Sequence, residues 1–164
     1  MKTINIVLTK YSDPLSTLIY FLTGFGYTHA SIGFSADEER LYSFNFKGFC
    51  TETKERYRRR GVTKSVCYQL VVSDSVYTKL YDLIEQFLAN RTQFFYTKLG
   101  TLLCLLRIPF KRKNHYFCSQ FVAEMLEESG AFRLKRRPSL YLPNHFCCEL
   151  AGSTQVQAIQ HNFV

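Results

Sequence analysis

Apolar and polar positions along this chain follow two periods, and each period predicts an element. Ile4-Asn5-Ile6-Val7-Leu8 is mostly apolar and reads as a first strand. Leu15, Leu18, Ile19 and Leu22 fall at helical spacing, predicting a helix with these four as its buried stripe. Ser12 is its expected cap, Pro14 fits its first turn, and Gly24 ends it after Thr23. His29 to Phe34 and Leu41 to Phe46 alternate with period two around the polar stretch 35–40, the pattern of a β-hairpin. Lys47 to Gly61 is polar and charged and reads as a long excursion. Val66 to Val72 predicts another strand. Ser73-Asp74-Ser75 opens a helix to about Ala89, with Val76, Leu80, Leu83, Ile84 and Phe87 as its apolar face. Thr97 to Leu106 is apolar and fits either a buried helix or a packed connection, with Pro109 as its end. Asn114 or a neighbour opens a helix that Gly130 closes. Pro138 to Ala151 reads as a loop with one helical turn, and Val156 to Val164 as a last strand. This order predicts one α+β domain over residues 1–164 with an antiparallel sheet.

Composition narrows the class. The 164 residues are 46% hydrophobic and 16% aromatic, with 15 Phe and 11 Tyr, which suits a folded core and not a disordered chain. No apolar run reaches the roughly 18 residues of a membrane span, and Met1 to Thr9 lacks a signal-type apolar region. A cytoplasmic location is therefore the default expectation. Six scattered cysteines do not form a disulfide framework in such a chain and are expected to be reduced. The net charge of +8 comes from clusters at Lys54 to Arg60, Arg107 to Lys113 and Arg133 to Arg137. These fit solvated loops and helix ends, or attraction to an anionic membrane surface. No nucleic-acid motif accompanies them, so nucleic acid is not an expected partner.

Two residues carry candidate chemistry. Cys118 lies near the start of its predicted helix and shares an inward face with Phe121, Val122 and Met125. Backbone N–H groups at a helix start can lower a thiol pKa and bind an oxyanion; the other reading is a small buried hydrophobe. His29 shares a strand face with the small residues Ser31 and Gly33, which leaves room for a cleft. On the facing hairpin strand only the odd-numbered positions match that face, so Ser43 and Asn45 are the polar candidates to orient the imidazole. His115, Cys118, His145 and Cys147 could ligate zinc, but H-x-x-C and H-x-C are not a strong zinc spacing. No phosphate loop or carboxylate pair is evident, and neither cofactor nor metal is expected.

Thr28-His29-Ala30-Ser31-Ile32, then Leu41-Tyr42-Ser43-Phe44, then Phe117-Cys118-Ser119-Gln120-Phe121-Val122 resembles the YiiX-like permuted branch of the NlpC-type papain-like superfamily. In that branch the histidine strand precedes the cysteine helix. The resemblance implies a circularly permuted papain-like domain, with the antiparallel sheet packed against the nucleophile helix. It implies Cys118 as nucleophile and His29 as general base. It places Ser43 where many relatives carry an acidic residue or a second histidine, and so favours Ser43 over Asn45 as the third residue. The implied activity is hydrolysis of a peptide or isopeptide-like amide through a thioester. The Cys-x-x-Phe-Val run is also similar to lecithin:retinol acyltransferase-like enzymes, which implies an acyl-ester alternative. A non-catalytic binding module on the same fold is the third reading, favoured by the neutral Ser43.

Overall fold

The computed structural model describes the whole chain except residues 12, 13, 23, 25 and 38 and the side chain of residue 15. In chain order the elements are β1 (Lys2–Thr9), α1 (Pro14–Leu22), β2 (His29–Phe34), β3 (Leu41–Asn45), β4 (Gly48–Glu52) and α2 (Lys54–Arg59). There follow β5 (Ser65–Val72), α3 (Asp74–Ala89), β6 (Phe95–Tyr96), α4 (Lys98–Leu105), β7 (His115–Tyr116), α5 (Cys118–Ser129), α6 (Pro143–Leu150) and β8 (Val156–His161). Six strands form one antiparallel sheet in the order β4-β3-β2-β1-β5-β8. β6 and β7 make a small parallel pair. The architecture is mixed α+β.

Period-two alternation sends the strand side chains to two different covers. Ile4, Ile6, Leu8, Ala30, Ile32 and Phe44 face the main core, where α3 and α5 bring Leu80, Ile84, Phe87, Phe121 and Val122. Val7, Leu41 and Cys67 face the other way, against Tyr57 of α2, Val62 and Phe163. The Phe44, Phe87 and Phe121 rings meet at centroid distances of 5.1–6.1 Å, which fixes α5 against both the sheet and α3. This aromatic junction lies one helical turn from Cys118 and so sets where the helix begins.

Local chemistry explains the boundaries. Ser73 caps α3 by accepting from the Val76 N–H, and Thr97 caps α4 by accepting from the Gly100 N–H. Gly130 ends α5 in the left-handed conformation, at φ 79°. The segment read as either helix or connection at Thr97 to Leu106 is thus α4.

Four expectations need correction. The excursion at Lys47 to Gly61 holds β4 and α2. The loop at Pro138 to Ala151 contains the two-turn helix α6, started by Pro143 at its first position. The helix expected to open near Asn114 starts at Cys118 itself. On α1, Ile19 is buried as expected, but Leu18 and Leu22 are exposed, and the Leu15 side chain lies outside the described residues. The expected Ser12 cap and the helix end at Thr23 lie outside the described residues. No helix among the described residues is long and apolar enough to cross a membrane.

Candidate active site

β1 pairs with β2 so that Thr9 lies opposite His29. His29 is therefore the first residue of β2, at the edge where the sheet meets α5. Cys118 is the first residue of α5, after an extended Phe117 that provides no side-chain cap. The first helical hydrogen bond runs from the Phe121 N–H to the Phe117 carbonyl. The N–H groups of Cys118, Ser119 and Gln120 therefore have no acceptor within the helix. Sequence and topology together bring the thiol close enough to the imidazole for each to shift the other's titration.

Electrostatics favour the ion pair. Burial alone would raise the Cys118 thiol pKa. The His29 charge, the His29 hydrogen bond and the backbone N–H groups of Ala30 and Ser119 outweigh it and hold the thiol below its ordinary value. Burial alone would lower the imidazole pKa. The Glu52 carboxylate, then Cys118, raises it instead, to about 10. Both shifts favour thiolate with imidazolium over thiol with neutral imidazole.

Glu52 is the third member of this line. Its Oε2 lies 2.7 Å from Nε2 of His29, and its side chain is fully buried. The other ring nitrogen, Nδ1, has no carboxylate partner and is the one left for Cys118. Burial would raise the Glu52 pKa, but the His29 charge, with hydrogen bonds from His29 and Tyr57, lowers it overall. The Tyr57 hydroxyl donates to Oε2 at 2.7 Å and lies 2.7 Å from the Ser31 hydroxyl, which completes a chain from Ser31 through Tyr57 to Glu52. The Tyr11 hydroxyl donates to Oε1 at 3.3 Å, and the Tyr11 ring stands edge-on to the imidazole at 4.9 Å.

Ser43, the expected third residue, shares the face but not the role. Its hydroxyl donates to the Ala30 carbonyl at 2.6 Å, and it is fully buried. Asn45 accepts from the Lys47 N–H in the β3–β4 turn. The face that β2 shares with β3 continues one strand further, on to β4. Register pairs Ser43 with Cys50 and Leu41 with Glu52, so Glu52 projects from the same face as His29. The signal was present in Gly48-Phe49-Cys50-Thr51-Glu52, a short alternation inside a segment read as irregular. The open space expected beside Ser31 is filled by Tyr57.

A pocket of about 460 Å³ opens on the pair. Ile19, Phe44, Phe46, Phe117, Leu142 and Pro143 give it an apolar wall, and Arg60 and Thr28 are among its polar residues. Cys118 lines this pocket and keeps 8% of its surface exposed. The other zinc-type candidates are elsewhere engaged: His115 Nδ1 lies 2.8 Å from the Lys113 carbonyl, and His145 Nδ1 accepts from the Leu142 N–H. Among the described residues no group of three or more His, Cys, Asp or Glu could hold a metal ion. All six cysteines are free. No family model matches the chain, and no curated protein matches it.

Proposed function

We propose that the chain is a cysteine-nucleophile hydrolase with a permuted papain-like arrangement, cleaving an amide bond through a thioester. The observation that carries this reading is the line Cys118–His29–Glu52: a thiol at a helix start, an imidazole on it, and a buried carboxylate on the far ring nitrogen. The roles follow from the protonation states. The Cys118 thiolate attacks the carbonyl carbon. The developing oxyanion takes hydrogen bonds from donors at the helix start, the Cys118 N–H among them. The tetrahedral adduct collapses as the His29 imidazolium gives its Nδ1 proton to the leaving nitrogen, releasing the amine and leaving a thioester. Neutral His29 then takes a proton from water as the water oxygen bonds to the thioester carbon. The carbon–sulfur bond breaks, the acid departs, and thiolate and imidazolium are restored. Glu52 holds the ring orientation and stabilises the imidazolium before and after each transfer.

A second reading rests on the pocket. Its largely apolar wall suits an acyl chain, and an ester would pass through the same thioester, to water or to another acceptor. The binding-module alternative drew its force from a neutral third residue, and Glu52 supplies a charged one at that position.

A panel of peptide, isopeptide and acyl-ester probes tests these readings on wild type and Cys118→Ala. Turnover of one class by wild type alone, with an acyl adduct on Cys118 by mass spectrometry, supports hydrolysis and names the bond. Tight binding of a probe by both proteins, without turnover or adduct, contradicts it.

A further inference from the structure

α1 and α4 each line the pocket with one face and turn a second, apolar face to water. Ser16 and Ile19 of α1 and Thr101 of α4 line the pocket. On the outer side of α1, Leu18 and Leu22 are 49% and 63% exposed. On α4 and its C-cap, Leu99, Leu102 and Leu106 are 54%, 52% and 60% exposed, while Gly100, Thr101 and Cys104 are buried. At about 100° per residue the three leucines lie within roughly 60° of one another, opposite the buried side. Phe46, itself part of the pocket wall, is 55% exposed at the rim, with the Lys98 ammonium 5.2 Å from its ring centroid. Single exposed leucines need no explanation, but two leucine-bearing helix faces flanking one pocket do.

Cations gather along the chain around α4, with the exposed Glu127 and Glu128 beside its Lys111 end. No acidic residue occurs between Glu85 and Glu124, a stretch that carries Arg91, Lys98, Arg107, Lys111, Arg112 and Lys113. Lys111 pairs with Glu124, while Arg107, Arg112 and Lys113 are exposed. Arg60 adds a cation to the pocket itself. Asp37, Glu39 and Asp74 lie beyond Phe34 and Val72, at the sheet end away from His29.

We propose that this face docks on an anionic phospholipid bilayer, with α1 and α4 lying in the interface and the pocket opening on to it. The leucines would enter the headgroup–acyl boundary, as amphipathic interfacial helices do, and the cations would sit at phosphate level. A second copy of the chain is the poorer occupant, because it brings +8 against +8. The docking does not depend on the chemistry at Cys118.

The test is co-sedimentation of the full chain with vesicles of phosphatidylcholine alone or with phosphatidylglycerol as roughly one-third of the lipid. The expected result is partitioning at least about tenfold stronger to anionic vesicles, falling steeply with salt. Leu102→Asp/Leu106→Asp and Leu18→Asp/Leu22→Asp should each weaken it by about tenfold or more. All four positions are exposed, so thermal midpoints should hold; Arg112→Glu/Lys113→Glu gives an independent variant that leaves the helices intact. Cys118→Ala should bind as wild type, which separates failure of docking from failure of the hydrolase reading. Absence of anionic-vesicle binding, or binding unchanged in all three double variants, would overturn the proposal. So would a concentration-dependent dimer, lost in the leucine variants, in place of vesicle binding.

Discussion

Glu52 meets His29 at one ring nitrogen, with Oε2 2.7 Å from Nε2 and the carboxylate wholly buried. A buried carboxylate in that position keeps the imidazole oriented and favours its protonated form. Glu52→Gln keeps the shape and removes the charge. The expected effect is a fall in turnover of about 10²- to 10⁴-fold, in the range for disabling a positioned base. The variant's thermal midpoint should be recorded beside its turnover, because the change also leaves a protonated ring without its counter-charge.

Ser43 offers the contrast. Its hydroxyl serves the Ala30 carbonyl, so Ser43→Ala strands a buried acceptor on the histidine strand. The expected cost is about 1–3 kcal/mol of stability by urea unfolding. Turnover per folded molecule should fall at least about tenfold less than in Glu52→Gln. A larger catalytic defect in Ser43→Ala, with folding intact, would return the orienting role to Ser43.

Tyr57→Phe removes one donor from Glu52 and leaves the ring packed in the smaller cluster. Fewer hydrogen bonds to the carboxylate raise its pKa. The acid limb of the pH–rate profile should therefore move to higher pH. An unchanged acid limb would show that the Tyr57 hydroxyl does not reach the site's titration.

The ion pair also shapes stability against pH. His29 is raised from 6.5 to about 10, so on its own it contributes stability fully below 6.5 and loses it as pH rises towards 10. Cys118 is lowered from 9.0, so its contribution is full above 9.0 and is lost as pH falls towards the folded thiol pKa. Below 9.0 and above both 6.5 and the folded thiol pKa the two slopes cancel, because folding moves one proton from thiol to imidazole without a net change. Below 4.5 the lowered pKa of Glu52 adds a further loss as pH falls. Wild type should show a thermal midpoint that stays flat as pH falls from about 9 towards the folded thiol pKa. Cys118→Ala leaves the His29–Glu52 slope uncompensated, and its midpoint should fall with rising pH in that window. A sloping wild-type curve with the same shape as the variant's would count against the pair.

The sequence made the site legible where pattern and chemistry coincide. The hairpin of β2 and β3 alternates cleanly, α3 carries both its cap and its apolar face, and the Cys118 helix has a glycine stop. Glu52 was hidden for two physical reasons. β4 carries one large apolar side chain, Phe49, too little for its alternation to stand out, and α2 is a charged run with one buried residue, Tyr57. Periodicity also marks an apolar face without saying what covers it. Leu18 and Leu22 kept helical spacing, yet the side that α1 buries carries Ser16 and Ile19.

The central claim, an activated thiolate at Cys118, is tested most directly by its alkylation rate against pH, read by peptide mapping after brief iodoacetamide treatment. Cys50 and Cys104 are internal references, because burial raises both thiols, Cys104 to about 12. The expected result is rapid labelling of Cys118 ahead of both, at a rate nearly constant from about pH 6 to 8, and loss of that preference in His29→Ala. A Cys118 rate that climbs about tenfold per pH unit through that range, in step with an ordinary thiol, would contradict it.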